Sequence, residues 1–518
     1  MVEKMTNQRI HCFERCMMGT MTRREALQKF TGAAVMAAPS IGVMAEALTE
    51  DIKSAATVGP ATLIPPELFG VSAGANLAPL IHNRAFMACL DQLAPSIFRY
   101  PGGNGANWFD ISTGMYVRDP RVPRANNTSN FDQPFDVPLL KRILQEASAE
   151  PSIVLNLLTG AMDTQIEALK HARSIGIPIK RIELGNEYYL QGARAGTDSY
   201  TRVFPTAADY ARTALQYAKE LRKEFPACQI GVPILARAAH GGREASWNDD
   251  LLQHIDSSID AVIAHVYRRI RLGSFGDKSN APAFREKEQA VFAAAFVPSP
   301  FNVVRHALSY GSRRVWITET NIADPSEESA QTWGHGIALA LDLMNMLTLP
   351  RIEQVLCWSL LGSREFCLVT LTESGHADAS QRNEVGHTAV PQASRLTANG
   401  YACMMLFKAA RGKTTASQLH FAPNTIQDSS SGEKLPSLYG WKYGSDSALI
   451  VNLSPQRHTV TIHDAGLTES GYYQLAADVA DPIEGESAFA ARHGKTNEQL
   501  TLPPYSMTAI GRHNALDQ

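Results

Sequence analysis

From residue 66 onward, short runs of apolar and β-branched residues alternate with longer stretches whose apolar positions recur at helical spacing. The short runs fall at 68–71, 96–100, 152–157, 181–187, 229–233, 261–267, 314–319 and 354–359. Clear helical stretches lie at 209–225 and 300–310, and 396–411 (LTANGYACMMLFKAAR) follows the eighth run. Such alternation predicts parallel strand–helix units. Eight of them in roughly 340 residues fit a TIM (β/α)8 barrel with long loops. A doubly wound open sheet is the competing arrangement. It would carry a Gly-rich phosphate turn after its first strand. Gly102-Gly103-Asn104-Gly105 follows the second run instead, with no helix-opening pattern or downstream acid behind it.

Beyond residue 412 the period changes. Short alternating runs at 438–441, 448–453, 459–462, 471–475 and 506–510 are separated by turn residues. They predict an antiparallel β-sandwich of about 100 residues. Residues 57–65 are placed to add a strand to it, and the polar 427–432 (QDSSSG) reads as a hairpin loop. The division expected is a barrel at 48–412 and a β-sandwich at 413–518.

The first 47 residues stand apart. Thr22-Arg23-Arg24 opens a charged stretch, a mildly apolar segment runs from 31 to 44, and Ala45-Glu46-Ala47 is a small-x-small pattern. That order is the grammar of a secretory signal, and the paired arginines resemble the twin-arginine type. The expectation is an exported, periplasmic or extracellular protein. An amphipathic helix belonging to the fold and an uncleaved anchor are the alternatives.

Composition narrows the partners. Of 518 residues, 44% are hydrophobic and 19% charged, with a formal net charge of −3. Near-neutrality argues against a nucleic-acid binder, which would show a basic stripe. No apolar run of about 20 residues follows the N-terminal region, so no internal membrane span is expected. The seven cysteines form no close Cys/His clusters of the zinc kind. Buried free thiols are the default, with a Cys357–Cys367 bridge as the alternative. No metal and no cofactor is called for.

Chemistry is sought at the C-terminal ends of the strands, where barrel enzymes keep it. The fourth run ends in Asn186-Glu187 and the seventh in Glu319. Arg99 ends the second, His265 and Tyr267 lie on the sixth, and Trp358 on the eighth. The fourth and seventh strands nearly oppose each other, so their glutamates can face across one mouth. Two carboxyl groups flanking a scissile bond are what glycoside hydrolysis needs.

Gly185-Asn186-Glu187 after one β-run and Trp316-Ile317-Thr318-Glu319 after another resemble clan A of the glycoside hydrolases. The turn Phe98-Arg99-Tyr100-Pro101-Gly102-Gly103 resembles those of the arabinofuranosidase and heparanase/β-glucuronidase relatives, although it is longer than a heparanase turn. The run from Leu502 to Thr508 looks like the closing strand of the sandwiches attached to such families.

The resemblance implies a retaining glycosidase acting on a carbohydrate, with Glu319 as nucleophile and Glu187 as acid/base. Arg99 and Tyr267 would favour the Glu319 charge, and Glu319 in turn would raise the Glu187 pKa. Asn186 would hydrogen-bond the sugar 2-hydroxyl. Asn104 and Trp108 are expected at the rim. His265 is a sugar contact or a satisfied buried histidine, and Trp358 a stacking floor or core packing. Glu183 reads as a structural ion-pair partner. Arg268, Arg269 and Arg271 are either a solvated loop or a cluster for the carboxylate of a uronic acid. Two other functions share the pattern: a non-catalytic carbohydrate-binding protein on the same scaffold, and a transglycosidase.

Overall fold

The computed structural model describes residues 51–117, 133–191, 198–237, 239, 241–270, 281–296, 311–324, 326–372, 393–424, 426–428 and 434–511. The segment expected to direct export, the helix at 300–310, the tip of the Ser-rich loop and Arg271 lie outside them.

Eight parallel strands close into a barrel in the order of the chain. They are Phe69–Ser72, Ile97–Tyr100, Glu150–Val154, Arg181–Glu183, Gln229–Ile234, Ala261–Arg269, Arg314–Ala323 and Ile352–Trp358, the first to eighth barrel strands below. Every run expected from the sequence is a barrel strand. Several ends shift by a few residues: the third strand is 150–154 rather than 152–157, and the sixth and seventh run on to Arg269 and Ala323. One shift matters for the site. The fourth strand stops at Glu183, not at Glu187. Gly185 has φ +89°, and Glu187 itself has φ +48°. Both are left-handed conformations that leave the pleat. A Cβ on Gly185 would stand 2.0 Å from the Tyr188 ring, so glycine is required there.

The long helix of the fourth unit, Ala207–Glu224, shows why the sequence folds as read. Its entry is a capping box: Thr206 Oγ1 accepts from the Asp209 amide, and Asp209 accepts from the Thr206 amide. Tyr210, Ala211, Ala214, Tyr217, Ala218 and Leu221 are buried at the helical period against the barrel.

Nine further strands form one sheet, and three two-stranded ribbons complete the described strands. The nine-stranded sheet is mixed rather than purely antiparallel, because the N-terminal strand Ile52–Leu63 inserts between Thr415–Ala422 and His458–Ile462. It runs antiparallel to the first and parallel to the second. The two faces of the sheet are used differently. Along Ser447–Asn452, Ala448 and Ile450 pack in the sheet's own core with Val460, Leu502 and Ile510. The alternate residues Leu449 and Val451 join the barrel's core, as the period of two dictates. The helix Ala398–Ala410 is buried on nearly all sides between barrel and sheet. Trp333 Nε1 donates to the Tyr505 carbonyl at 2.7 Å and ties the seventh unit to the sheet.

All five described cysteines are free and buried. Cys357 does not pair with Cys367. Its neighbour is Cys403, with the two sulfurs 3.5 Å apart, well beyond the ~2.05 Å of a bond.

Candidate active site

The interior of a TIM barrel is ordinarily filled by layers of branched apolar side chains. Here one layer is polar. Ser72, Arg99, Ser152, Glu183, Thr318 and Gln354 come from six different strands and are fully buried. They meet across the barrel: Arg99 Nε lies 3.0 Å from both Glu183 oxygens, Ser152 Oγ 3.0 Å from Glu183 Oε1, and Thr318 Oγ1 3.2 Å from Glu183 Oε2. Glu183 is thus an ion-pair partner, as its position in the strand suggested.

Arg99 also faces the mouth. Its Nη1 donates to Glu319 Oε1 at 2.7 Å and its Nη2 to Asn186 Oδ1 at 2.8 Å. Burial alone would lower the Arg99 pKa. The carboxylates of Glu183 and Glu319 more than reverse that and hold it above the ordinary value. The second oxygen of Glu319 accepts from Tyr267 Oη at 2.7 Å. Glu319 is 5% exposed, and each of its oxygens is held by a donor.

The seventh strand delivers Thr318 and Glu319 to the same interior although they are consecutive. Consecutive strand residues normally point to opposite faces. A bulge permits the exception: Ile317 pairs with Ala264 and Glu319 with His265, leaving Thr318 extra. Bulges re-aim side chains in this way beside functional sites.

Glu187 comes from the left-handed turn after the fourth strand. Its Oε1 accepts from Tyr189 Oη at 2.8 Å and lies 3.0 Å from His265 Nδ1. The same nitrogen is 3.5 Å from Glu319 Oε2. Added together, those two distances cap the separation of the two glutamate oxygens at about 6.5 Å, which admits the ~5–5.5 Å of a retaining pair.

The Glu187 pKa departs from expectation. Burial does raise it. The hydrogen bond and charge of His265, the Tyr189 hydroxyl and Arg99 outweigh burial, and the net direction is down. His265 moves the opposite way. Burial lowers it, and Glu319 and Glu187 together raise it above 6.5. The cause is local charge. Glu183 and Glu319 share the one guanidinium of Arg99, and Glu187 and Glu319 both lie against the imidazole, where their charges favour its protonated form.

The remaining expected residues divide. Asn186 is buried. Its Nδ2 donates to Asn104 Oδ1 at 3.0 Å, which brings Asn104 into the site. Trp358 is partly exposed at the end of the eighth strand and lies against the loop after the second. A Cβ on Gly103 would come within 2.3 Å of its ring. Trp108 is not a rim contact. It is 4% exposed and stacks on Tyr200 at 5.5 Å, and its indole nitrogen has no hydrogen-bond partner among the described residues. Arg268 pairs through Nε with the buried carboxylate of Asp342, so its charge is already matched within the fold.

The sequence reading missed three contributors. Tyr189 sits two residues past Glu187. Thr318 precedes Glu319 on the seventh strand, where regular alternation would turn it to the opposite face. Asn107 accepts from the Asn186 amide at 2.9 Å and donates to its carbonyl at 2.6 Å, locking the turn that carries Glu187. Its place within Asn104-Gly105-Ala106-Asn107-Trp108 was the available signal. Among the described residues no group of His, Cys, Asp and Glu could hold a metal ion, and no helix is long and apolar enough to cross a membrane.

No protein-family model matches the chain, and no curated protein matches it in sequence. Solved structures do match. A family 51 α-L-arabinofuranosidase from Bifidobacterium longum superposes with a TM-score of 0.62 at 15% identity, over 89% of this chain and 99% of that one. An arabinofuranosidase from Xanthomonas axonopodis pv. citri gives 0.61 at 13% identity, over 89% and 99%. A 4-O-α-L-rhamnosyl-β-D-glucuronidase from Fusarium oxysporum gives 0.54 at 14%, over 89% and 100%. At this identity the likeness is one of fold: the chain has the barrel-and-sheet architecture of these solved glycoside hydrolases.

Proposed function

We propose that the protein is an exported retaining glycosidase with Glu319 as nucleophile and Glu187 as acid/base. The observation that carries the reading is the bridge at His265 Nδ1, which holds two carboxyl groups on opposing sides of one barrel mouth within reach of a single glycosidic bond.

The two glutamates have environments suited to different tasks. Arg99 and Tyr267 occupy both Glu319 oxygens with donors, which favours the anion that attacks the anomeric carbon. Glu187 has one oxygen held by Tyr189 and His265, and its side chain is 18% exposed. It protonates the leaving oxygen in the first step. In the second it takes a proton from water as that water attacks the glycosyl–enzyme ester. Forming that ester consumes the Glu319 charge, so the cationic character of His265 declines when Glu187 must act as base.

Asn186 spends one amide hydrogen on Asn104. The other is available for the sugar 2-hydroxyl. The exposed part of Trp358 supplies an apolar face for a sugar ring. Export rests on Arg23-Arg24 and the segment that follows.

For the sugar, the arabinofuranosidases among the similar structures make an aryl α-L-arabinofuranoside the first substrate to try. A glucuronide follows from the Fusarium oxysporum structure, though Arg268 no longer supports it. The test is a screen of aryl arabinofuranoside, glucuronide, xyloside and glucoside, with NMR of the first-formed product. Retained anomeric configuration is expected, and inversion would sink the mechanism.

A further inference from the structure

Beneath the two mouth glutamates, a chain of contacts runs from a third carboxylate to His265. Glu183 Oε2 lies 3.2 Å from Thr318 Oγ1, and Thr318 Oγ1 lies 3.1 Å from His265 Nε2. All four groups in the chain, counting Arg99, are buried. The Thr318 hydroxyl has one hydrogen and two neighbours. Glu183 faces Arg99 at 2.9 Å as a buried ion pair, and an ionised carboxylate only accepts. The hydroxyl therefore donates to Glu183, and its oxygen is left to accept from His265 Nε2–H.

A hydrogen held on Nε2 also settles the role of the ring's other edge. If Nε2 carries a hydrogen in every charge state, the proton that titrates is on Nδ1. This is the nitrogen placed 3.0 Å from Glu187 and 3.5 Å from Glu319. We propose that Glu183, acting through the Thr318 hydroxyl, fixes His265 as the Nε2–H tautomer, so that its one exchangeable proton is shared with Glu187. The inference deepens the glycosidase reading and rests on it for its catalytic meaning. Glu183 and Thr318 are positioning residues; neither touches the reacting atoms.

The proton step balances without any other reagent. The Glu187 Oε1–H bond breaks and Nδ1–H forms, giving a carboxylate and an imidazolium, and the reverse returns the proton to Glu187 for delivery to the leaving oxygen. The charged groups around the ring are Glu187 from the turn after the fourth strand, Glu319 from the seventh, and Arg99 from the second. Tyr267, on the ring's own strand, bonds Glu319. The second edge of the ring meets Thr318 and, through it, Glu183. A tautomer set from behind by a hydrogen-bonded carboxylate is a general way to direct a histidine.

The direct readout is NMR of the full-length wild-type protein labelled with 15N-histidine, the His265 signals being assigned by their loss in His265→Gln. Neutral His265 is expected with Nε2 protonated and Nδ1 bare; the opposite tautomer overturns the proposal. Thr318→Val removes the acceptor while keeping the shape. The imidazolium is then destabilised, and the alkaline limb of kcat/KM moves to lower pH, costing about tenfold above the limb for each pH unit moved. Thr318→Ser restores both tautomer and limb. A limb unmoved in a folded Thr318→Val protein also overturns it. If the Nε2–H signal is found but no glycoside is turned over, the tautomer assignment stands and the glycosidase reading fails.

Discussion

Arg99 Nη1 lies 2.7 Å from Glu319 Oε1, and the opposite edge of the same guanidinium holds Glu183. One planar cation thus joins the carboxyl group at the mouth to the carboxyl group in the barrel floor. The fork geometry of arginine suits this double duty, which a lysine could not copy. The arrangement makes stability and site geometry inseparable here. Replacing Arg99 by Met leaves Glu183 buried without its counter-charge. Breaking such a pair costs about 3–5 kcal/mol. We expect a lowered thermal midpoint for Arg99→Met, and calorimetry beside the wild type checks it. An unchanged midpoint would mean that Glu183 is neutral in the fold.

Glu319→Gln keeps the shape of the side chain and removes the nucleophile. Turnover of an aryl glycoside should fall on the order of 10⁴-fold or more, the scale of losing a nucleophile in an enzyme that works by covalent catalysis. Steady-state kinetics on the best substrate of the screen decides it. Substantial retained activity would remove Glu319 from the role.

Glu187→Gln should act selectively. Proton donation contributes roughly 10²–10⁴-fold where the leaving group needs it. Substrates with acidic phenols as leaving groups should be largely spared in the first step, and those with poor leaving groups should lose that full range. Added azide should restore part of the second step by attacking the glycosyl–enzyme directly, without a base. Equal loss across leaving groups together with no azide effect would count against the acid/base role.

The barrel was legible because eight short apolar and β-branched runs alternate with longer stretches, a pattern that a one-residue bulge does not erase. Most of the site was legible from the residues that stand at the C-terminal ends of the strands. Arg99, His265, Tyr267 and Glu319 lie on regular strand or one step from it, and all four reach the mouth. Glu187 departs from the pleat through Gly185 and its own positive φ, which alternation cannot reveal. Thr318 escaped because a bulge adds one residue to the seventh strand. The direction of the Glu187 pKa was misjudged for a related reason. The mutual repulsion of two carboxylates was visible from their strand addresses, whereas the closeness of His265 and Tyr189 depends on the turn. Trp108 was assigned to the rim from its loop, yet its ring is large enough to pack inward on Tyr200.

The opposed shifts of His265 and Glu187 give a pH signature in stability. Burial depresses the His265 pKa, but Glu319 and Glu187 carry it above its unfolded value of about 6.5. A group raised in this way stabilises the fold fully below the unfolded value, and the contribution fades as pH rises through the folded one. Glu187 behaves oppositely. Its folded pKa is depressed, so its contribution is present above the unfolded value of about 4.3 and is lost only as pH falls below that. In a window from pH ~5 upward the Glu187 contribution is constant, so of the two only His265 makes stability change with pH. The stability gap between wild type and His265→Gln should be widest at the acidic end of that window and narrow toward the alkaline end. Each pH unit separating the folded and unfolded values corresponds to about 1.4 kcal/mol of that gap. Thermal unfolding of both proteins across the window measures it. A gap that stays constant or widens with pH would show that His265 is neutral between the two carboxyl groups.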